Sequence, residues 1–150
     1  MKLKPLFEFD SDISDVQKLG DTPHGNRIIY VVAGGKLWGE RVNGTVQSGG
    51  GDWALINANG LAKLDVRKTL KTDDGALIYI TYTGLYQFNE ELTKRIDEGE
   101  GYDFGETLFQ VQMQFETGDP RYDWLNTVLA VAEGRETGQK VHYRAFEMVS

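Results

Sequence analysis

The sequence predicts an all-β chain: a single antiparallel β-barrel of about eight to ten strands with one short helix. Three observations predict it. Apolar and polar residues alternate with period two over most of the chain, turn dipeptides recur between the alternating runs, and only one segment combines helical spacing with caps. A closed barrel is favoured over a sandwich because closure removes edge strands and leaves room for one small ligand.

Each element follows from its residues. Leu3, Pro5, Phe7 and Phe9 share one face of an opening strand, and Ile13–Leu19 forms a second, less regular one. Arg27–Trp38 is a longer β-rich run ending near Gly34-Gly35, where a turn or bulge is expected. Further strands are expected over Gly39–Gln47, Asp52–Asn57, Leu61–Thr72, Ala76–Phe88, Leu108–Thr117, Thr127–Glu133 and Gln139–Val149. Asn59-Gly60 and Asp74-Gly75 fall between strands, where hairpins need positive φ. The helix begins at Asn89 as N-cap, places Glu90 and Glu91 at its positive end, spaces Leu92 and Ile96 by four, and stops at Gly99.

Composition narrows the function. At 150 residues the chain forms one domain, 1–150, with a single core. A net charge of −7 argues against nucleic acid as a partner, since phosphate neutralisation needs a basic face. The absence of cysteine excludes disulfides, thiolate nucleophiles and zinc–thiolate sites, and two histidines cannot build a three-histidine metal site. No signal-peptide core or membrane-spanning run is present, so a cytoplasmic protein without a membrane partner is expected.

Several residues could carry chemistry. On Leu61–Thr72, Ala62, Leu64, Val66 and Leu70 occupy one face and Lys63, Asp65, Arg67 and Thr69 the other. That second face is either wet or places an Asp65–Arg67 pair against a polar ligand. Gly49-Gly50-Gly51-Asp52-Trp53 lacks the lysine of a phosphate loop and leads into a strand. Its glycines permit close backbone approach, and Asp52 either faces inward beside the flat indole of Trp53 or caps a loop that Trp53 plugs.

Gln110, Gln112 and Gln114 share a face and could hydrogen-bond a polar ligand without adding charge, or meet water. Tyr122 and Trp124 point the same way, as a plug or a ligand platform. Tyr79 and Tyr82 lie on opposite faces, so at most one lines a pocket. Asp73-Asp74-Gly75 reads as turn chemistry, and His24 as a solvated or acid/base group. No nucleophile elbow occurs.

Four blocks in order, Gly-Gly-Gly-Asp-Trp, Leu-Asp-Val-Arg, Thr-Asp-Asp-Gly-Ala-Leu-Ile-Tyr and Phe-Glu-Thr-Gly-Asp-Pro-Arg-Tyr-Asp-Trp-Leu-Asn, resemble the DUF3237 family, also called UPF0311. Gly-Asp-Thr-Pro-His-Gly-Asn-Arg near the start extends the likeness over nearly the whole chain. The resemblance implies a lipocalin-like or allene-oxide-cyclase-like barrel and little about activity. It carries family positions onto Asp52, Trp53, Asp65, Arg67, Asp73, Asp74, Tyr122, Trp124 and Asn126. Where the family often has arginines, this chain has Gln110 and Gln114, and it reads Tyr-Ile-Thr-Tyr-Thr-Gly at 79–84, which implies a more neutral pocket.

The resulting expectation is a metal-free, cofactor-independent acid/base enzyme of isomerase, cyclase or hydro-lyase type. It would act on a small aromatic or polyketide-like molecule held inside the barrel. Asp52 would transfer the proton, and Asp65 and Arg67 would orient a substrate oxygen. Trp53, Tyr82, Gln110, Gln112, Tyr122, Trp124 and Asn126 would bind the substrate. The alternative is a carrier barrel without chemistry; a third reading is a subunit whose apolar outer faces form a homodimer.

Overall fold

A computed structural model describes residues 1–138 and 140–150. A nine-stranded antiparallel sheet closes on itself, bearing out the barrel expectation. Its strands are β1 (Lys2–Thr22), β2 (Gly25–Trp38), β3 (Gly44–Val46), β4 (Gly51–Ile56), β5 (Leu61–Thr72), β6 (Leu77–Gln87), β7 (Phe109–Glu116), β8 (Leu129–Thr137) and β9 (Lys140–Val149). Neighbours run β1-β9-β8-β7-β6-β5, and β3 and β4 share the place between β5 and β2; the β1–β2 pairing completes the ring. Among the described residues, β1 is paired on one side only over its start, Lys2–Phe7 with β9, and over its later half, Ile13–Thr22 with β2.

Alternation sets inside from outside. On β7, Phe109, Val111, Met113 and Phe115 are buried and the intervening glutamines exposed. The same rhythm on β5 buries Ala62, Leu64, Val66, Lys68, Leu70 and Thr72. Positive φ at Gly60 and Gly75 makes the β4–β5 and β5–β6 turns, as the dipeptides require.

Three expectations are corrected. A register shift between Pro5 and Phe7 turns Leu3 and Pro5 outward while Leu6, Phe7 and Phe9 are buried. A proline has no N–H to give the ladder, and the irregularity accommodates it. Ile13–Leu19 is no separate strand but the continuation of β1, curved by further register shifts. Only Gly44–Val46 of the expected Gly39–Gln47 strand pairs. Gln139, expected to open the last strand, lies outside the described residues.

The helix α1 (Glu90–Asp97) forms where its caps predict. Asn89 Oδ1 accepts from the backbone N–H groups of Glu91 (3.0 Å) and Leu92 (3.2 Å). Leu92 is buried, and Ile96 packs on the core, so α1 lies across one end of the barrel. A 3-10 helix over Asp123–Thr127 covers the other end, with Leu125 buried beneath it. No helix among the described residues is long and apolar enough to cross a membrane.

Candidate functional site

The barrel is hollow toward the α1 end. A cavity of about 540 Å³ is lined by residues of β1, β2 and β4 to β9, together with α1 and Gly138. That volume suits one small organic molecule. Val32, Ala54, Ala62, Leu64, Val66 and Phe109 give it apolar walls.

Lys68 stands on the inner face of β5, 3% exposed. Its Nζ donates to Ser11 Oγ and to Tyr82 Oη, each at 2.6 Å. Three aromatic rings surround the amine: Phe9 at 4.9 Å, Tyr82 at 5.1 Å and Tyr143 at 5.4 Å from Nζ to centroid. These faces stabilise a cation but supply no counter-charge. Among the described residues no carboxylate lies within ion-pair distance of Lys68. Burial therefore penalises the ammonium and lowers its pKa to about 7, with Asp52 opposing the shift from further away.

Asp52 lies on β4, cross-strand from Tyr30 of β2 and Val66 of β5. Its Oδ1 accepts from the backbone N–H of Asp65 at 3.1 Å. Burial nevertheless pushes the carboxyl up to about 6, against the lowering effects of that hydrogen bond and of Lys68. Each group also acts on the other across the cavity: Lys68 lowers the Asp52 value and Asp52 raises the Lys68 value, both less than burial does. Tyr82 and Tyr143 are held well above the ordinary phenol value by burial, so both stay protonated hydrogen-bond donors.

The glycine run before Asp52 makes this wall. A Cβ on Gly50 would stand 2.6 Å from Arg67 O and 3.1 Å from Lys68 Cγ. Only a residue without a side chain lets the chain pass the lysine stem there.

A second polar cluster flanks the cavity. Tyr102 Oη donates to Tyr86 Oη at 3.4 Å. Burial raises the Glu136 carboxyl pKa, while hydrogen bonding from Tyr102 and Tyr86 holds it back. Burial also raises Tyr30 and Tyr86 to about 12.

The expected site residues divide sharply. Asp52 and Tyr82 line the cavity. Asp65 and Arg67 do not: they alternate with the buried residues of β5 and are exposed on the outer wall, which corrects the reading that they orient a substrate. Gln110 and Gln112 are also outside. They border a depression of about 660 Å³ on the outer wall, where Gln112 Nε2 donates to Thr83 Oγ1 at 3.2 Å. The one carboxylate bordering it, Glu133, is paired with Arg144. Although larger, this depression is lined by no buried acid or base, whereas Lys68 and Asp52 line the inner cavity. Trp53 is 38% exposed and folds back over Gly51, outside the barrel.

Tyr122, Trp124 and Asn126 lie at the closed end and do not line the cavity. Tyr122 Oη donates to Asp74 Oδ1 at 2.9 Å. The Arg41 guanidinium stacks 4.3 Å above the Trp124 ring. Asn126 bonds Thr117 N and Thr117 O through its amide, at 2.8 and 2.9 Å. His142 is likewise structural, bridging Glu8 Oε1 and Arg135 Nε on the outer wall.

Sequence reasoning passed over Lys68, Ser11, Tyr30, Tyr86, Glu136 and Tyr143. For Lys68 a signal existed: it is the one charged residue in phase with Ala62, Leu64, Val66 and Leu70.

The fold and cavity define a hollow antiparallel barrel. The DUF3237 model, described as a protein of unknown function, matches residues 1–148, and the chain belongs to that family. A UPF0311 protein of Rhodopseudomonas palustris is 32% identical over 141 residues, covering 94% of this chain and 92% of the relative. Its crystal structure matches with a TM-score of 0.87 over 99% of this chain and 97% of that one. A β-barrel-like protein of Acinetobacter baumannii has 36% identity and a TM-score of 0.82 over 97% and 94% of the two chains. Two fungal proteins are more distant. A protein described as an enzyme from Penicillium herquei shares the fold, with a TM-score of 0.73, 21% identity and coverage of 97% and 94%. PR-toxin biosynthesis cluster protein 7 of Penicillium roqueforti is 24% identical over 172 residues, covering 99% of this chain and 92% of that protein.

Proposed function

We propose that this protein binds a small, largely uncharged molecule inside the barrel and catalyses a proton-transfer reaction on it. Isomerisation, cyclisation, and addition or elimination of water are the reactions this pair can serve. Lys68 as free amine removes a proton, Asp52 as carboxylic acid supplies one, and Tyr82 and Ser11 bind an oxygen of the substrate. Both acid and base are side chains, so the reading requires no cofactor. The carrying observation is a buried amine without an ion-pair partner among the described residues, opening on the same cavity as a half-buried carboxyl. Such a pair exchanges a proton with little free-energy difference near pH 7. The fungal relatives support the reading through what they are described as, an enzyme and a product of a biosynthetic cluster. Apolar walls and aromatic rings suit an aromatic or polyketide-like skeleton.

The apolar lining also fits a carrier. A carrier, however, gains nothing from a desolvated lysine, which destabilises the fold. Deuterium exchange at the α-carbon of 2-tetralone in D₂O separates the two. The proposed acid/base pair accelerates exchange in a Lys68-dependent and Asp52-dependent way, whereas binding without exchange leaves carriage.

A further inference from the structure

We propose that Lys68 captures carbonyl groups covalently: its Nζ condenses with a ketone or aldehyde of the cavity's ligand, making carbonyl compounds the substrate class. The inference deepens the acid–base reading above and rests on it.

The geometry around the nitrogen is the reason. A neutral amine has two N–H bonds and one lone pair. Hydrogen bonds to Ser11 Oγ and Tyr82 Oη, both at 2.6 Å, account for the two N–H bonds. They leave the lone pair free among the described residues. The same two hydroxyls stand beside any carbonyl oxygen that approaches Nζ. Burial among Phe9, Tyr82 and Tyr143 limits the water that reaches Nζ, which favours an imine over its hydrolysis. Lysines desolvated in this manner are the ones that form Schiff bases. Desolvation also keeps a large share of the amine unprotonated near neutrality.

The step balances with the groups present. The nitrogen lone pair attacks the carbonyl carbon as the C=O π pair moves to oxygen. That oxygen takes a proton from the Asp52 carboxyl, and the nitrogen returns one to the Asp52 carboxylate, giving the carbinolamine. Reprotonation of the hydroxyl by Asp52 releases water and forms the C=N bond. The iminium then acidifies the neighbouring C–H, and the Asp52 carboxylate, in place of the now-bound Lys68 nitrogen, takes that proton.

Benzaldehyde tests the covalent step alone, because it has no α-hydrogen. The wild-type protein is incubated with benzaldehyde and sodium cyanoborohydride at neutral pH and mapped by peptide mass spectrometry. Benzylation of Lys68 at least about tenfold faster than of exposed Lys63 or Lys71 is expected. Asp52→Asn should slow Lys68 labelling about tenfold and leave the surface lysines unchanged. Benzylation confined to surface lysines overturns the inference. Site mapping in the wild type needs no variant that might misfold. If Lys68 stays unlabelled while 2-tetralone still exchanges deuterium, covalent capture fails and the acid–base reading stands. If neither occurs, both fail.

Discussion

The two ends of the barrel use polar side chains in opposite ways. At the end covered by the 3-10 helix, Thr72, Asp74, Thr117, Asp119, Arg121, Tyr122 and Asn126 satisfy one another and the backbone. Hydrogen bonds from Arg121 hold the Asp119 carboxylate down at about 2, so this end stays ionised and structural. At the α1 end, Ser11, Asp52, Lys68 and Tyr82 face a void, and burial drives amine and acid toward neutrality. Both ends contain aspartates and tyrosines; the partner set decides which becomes an architectural cap and which a reactive pair.

Substitution at the hollow end should break the comparison most severely. Lys68→Met is expected to lower 2-tetralone exchange about 10³-fold while a cavity ligand still binds, measured by NMR exchange and by titration. Asp52→Asn should lower exchange about 10²-fold, because the amide keeps the shape and loses the proton.

The pH dependence of stability sharpens the contrast. Lys68 falls from 10.5 unfolded to about 7 folded, so between those values the unfolded chain binds the extra proton and stability rises with pH. Asp52 rises from 3.8 to about 6, so the folded chain binds the extra proton there and stability falls as pH climbs through that range. A minimum near pH 6–7 is expected, with a gain of roughly 2 kcal/mol toward pH 9 in urea titrations. Lys68→Met should flatten the rising limb.

At the closed end, Asn126→Ala removes the amide that bonds Thr117 on both sides. A loss of about 1 kcal/mol in denaturant unfolding, with exchange activity retained, is expected. The smallest effects belong to the outer wall. Asp65→Asn and Arg67→Gln should change stability by no more than about 0.5 kcal/mol and leave exchange intact, since both side chains meet water. Loss of activity in either would return these residues to the site.

Much of the site was visible in pieces. Asp52 follows a glycine run in which Gly50 permits close approach, and Tyr82 shares a strand face with Ile78 and Ile80 of β6. Asp65 and Arg67 misled because two opposite charges on one strand face resemble a ligand clamp, although a wet face carries the same pattern. Lys68 hid among hydrophobic neighbours, where its charge was the exception that mattered. The Tyr122–Asn126 segment looked like a binding platform because aromatic and amide groups serve caps and ligands equally.

Local chemistry was determined by the sequence alone: strand alternation, glycine turns and the Asn89 cap. These depend on dihedral preference and period-two geometry within a few residues. Which inner residues meet was decided only by closure. Ser11 and Lys68 are separated by 57 positions. They join because the register of β1 on β2 and of β4 on β5 carries them round the ring. The void that shifts the lysine and the aspartate exists only once the ring is closed, since desolvation is a property of the enclosed space and not of either residue.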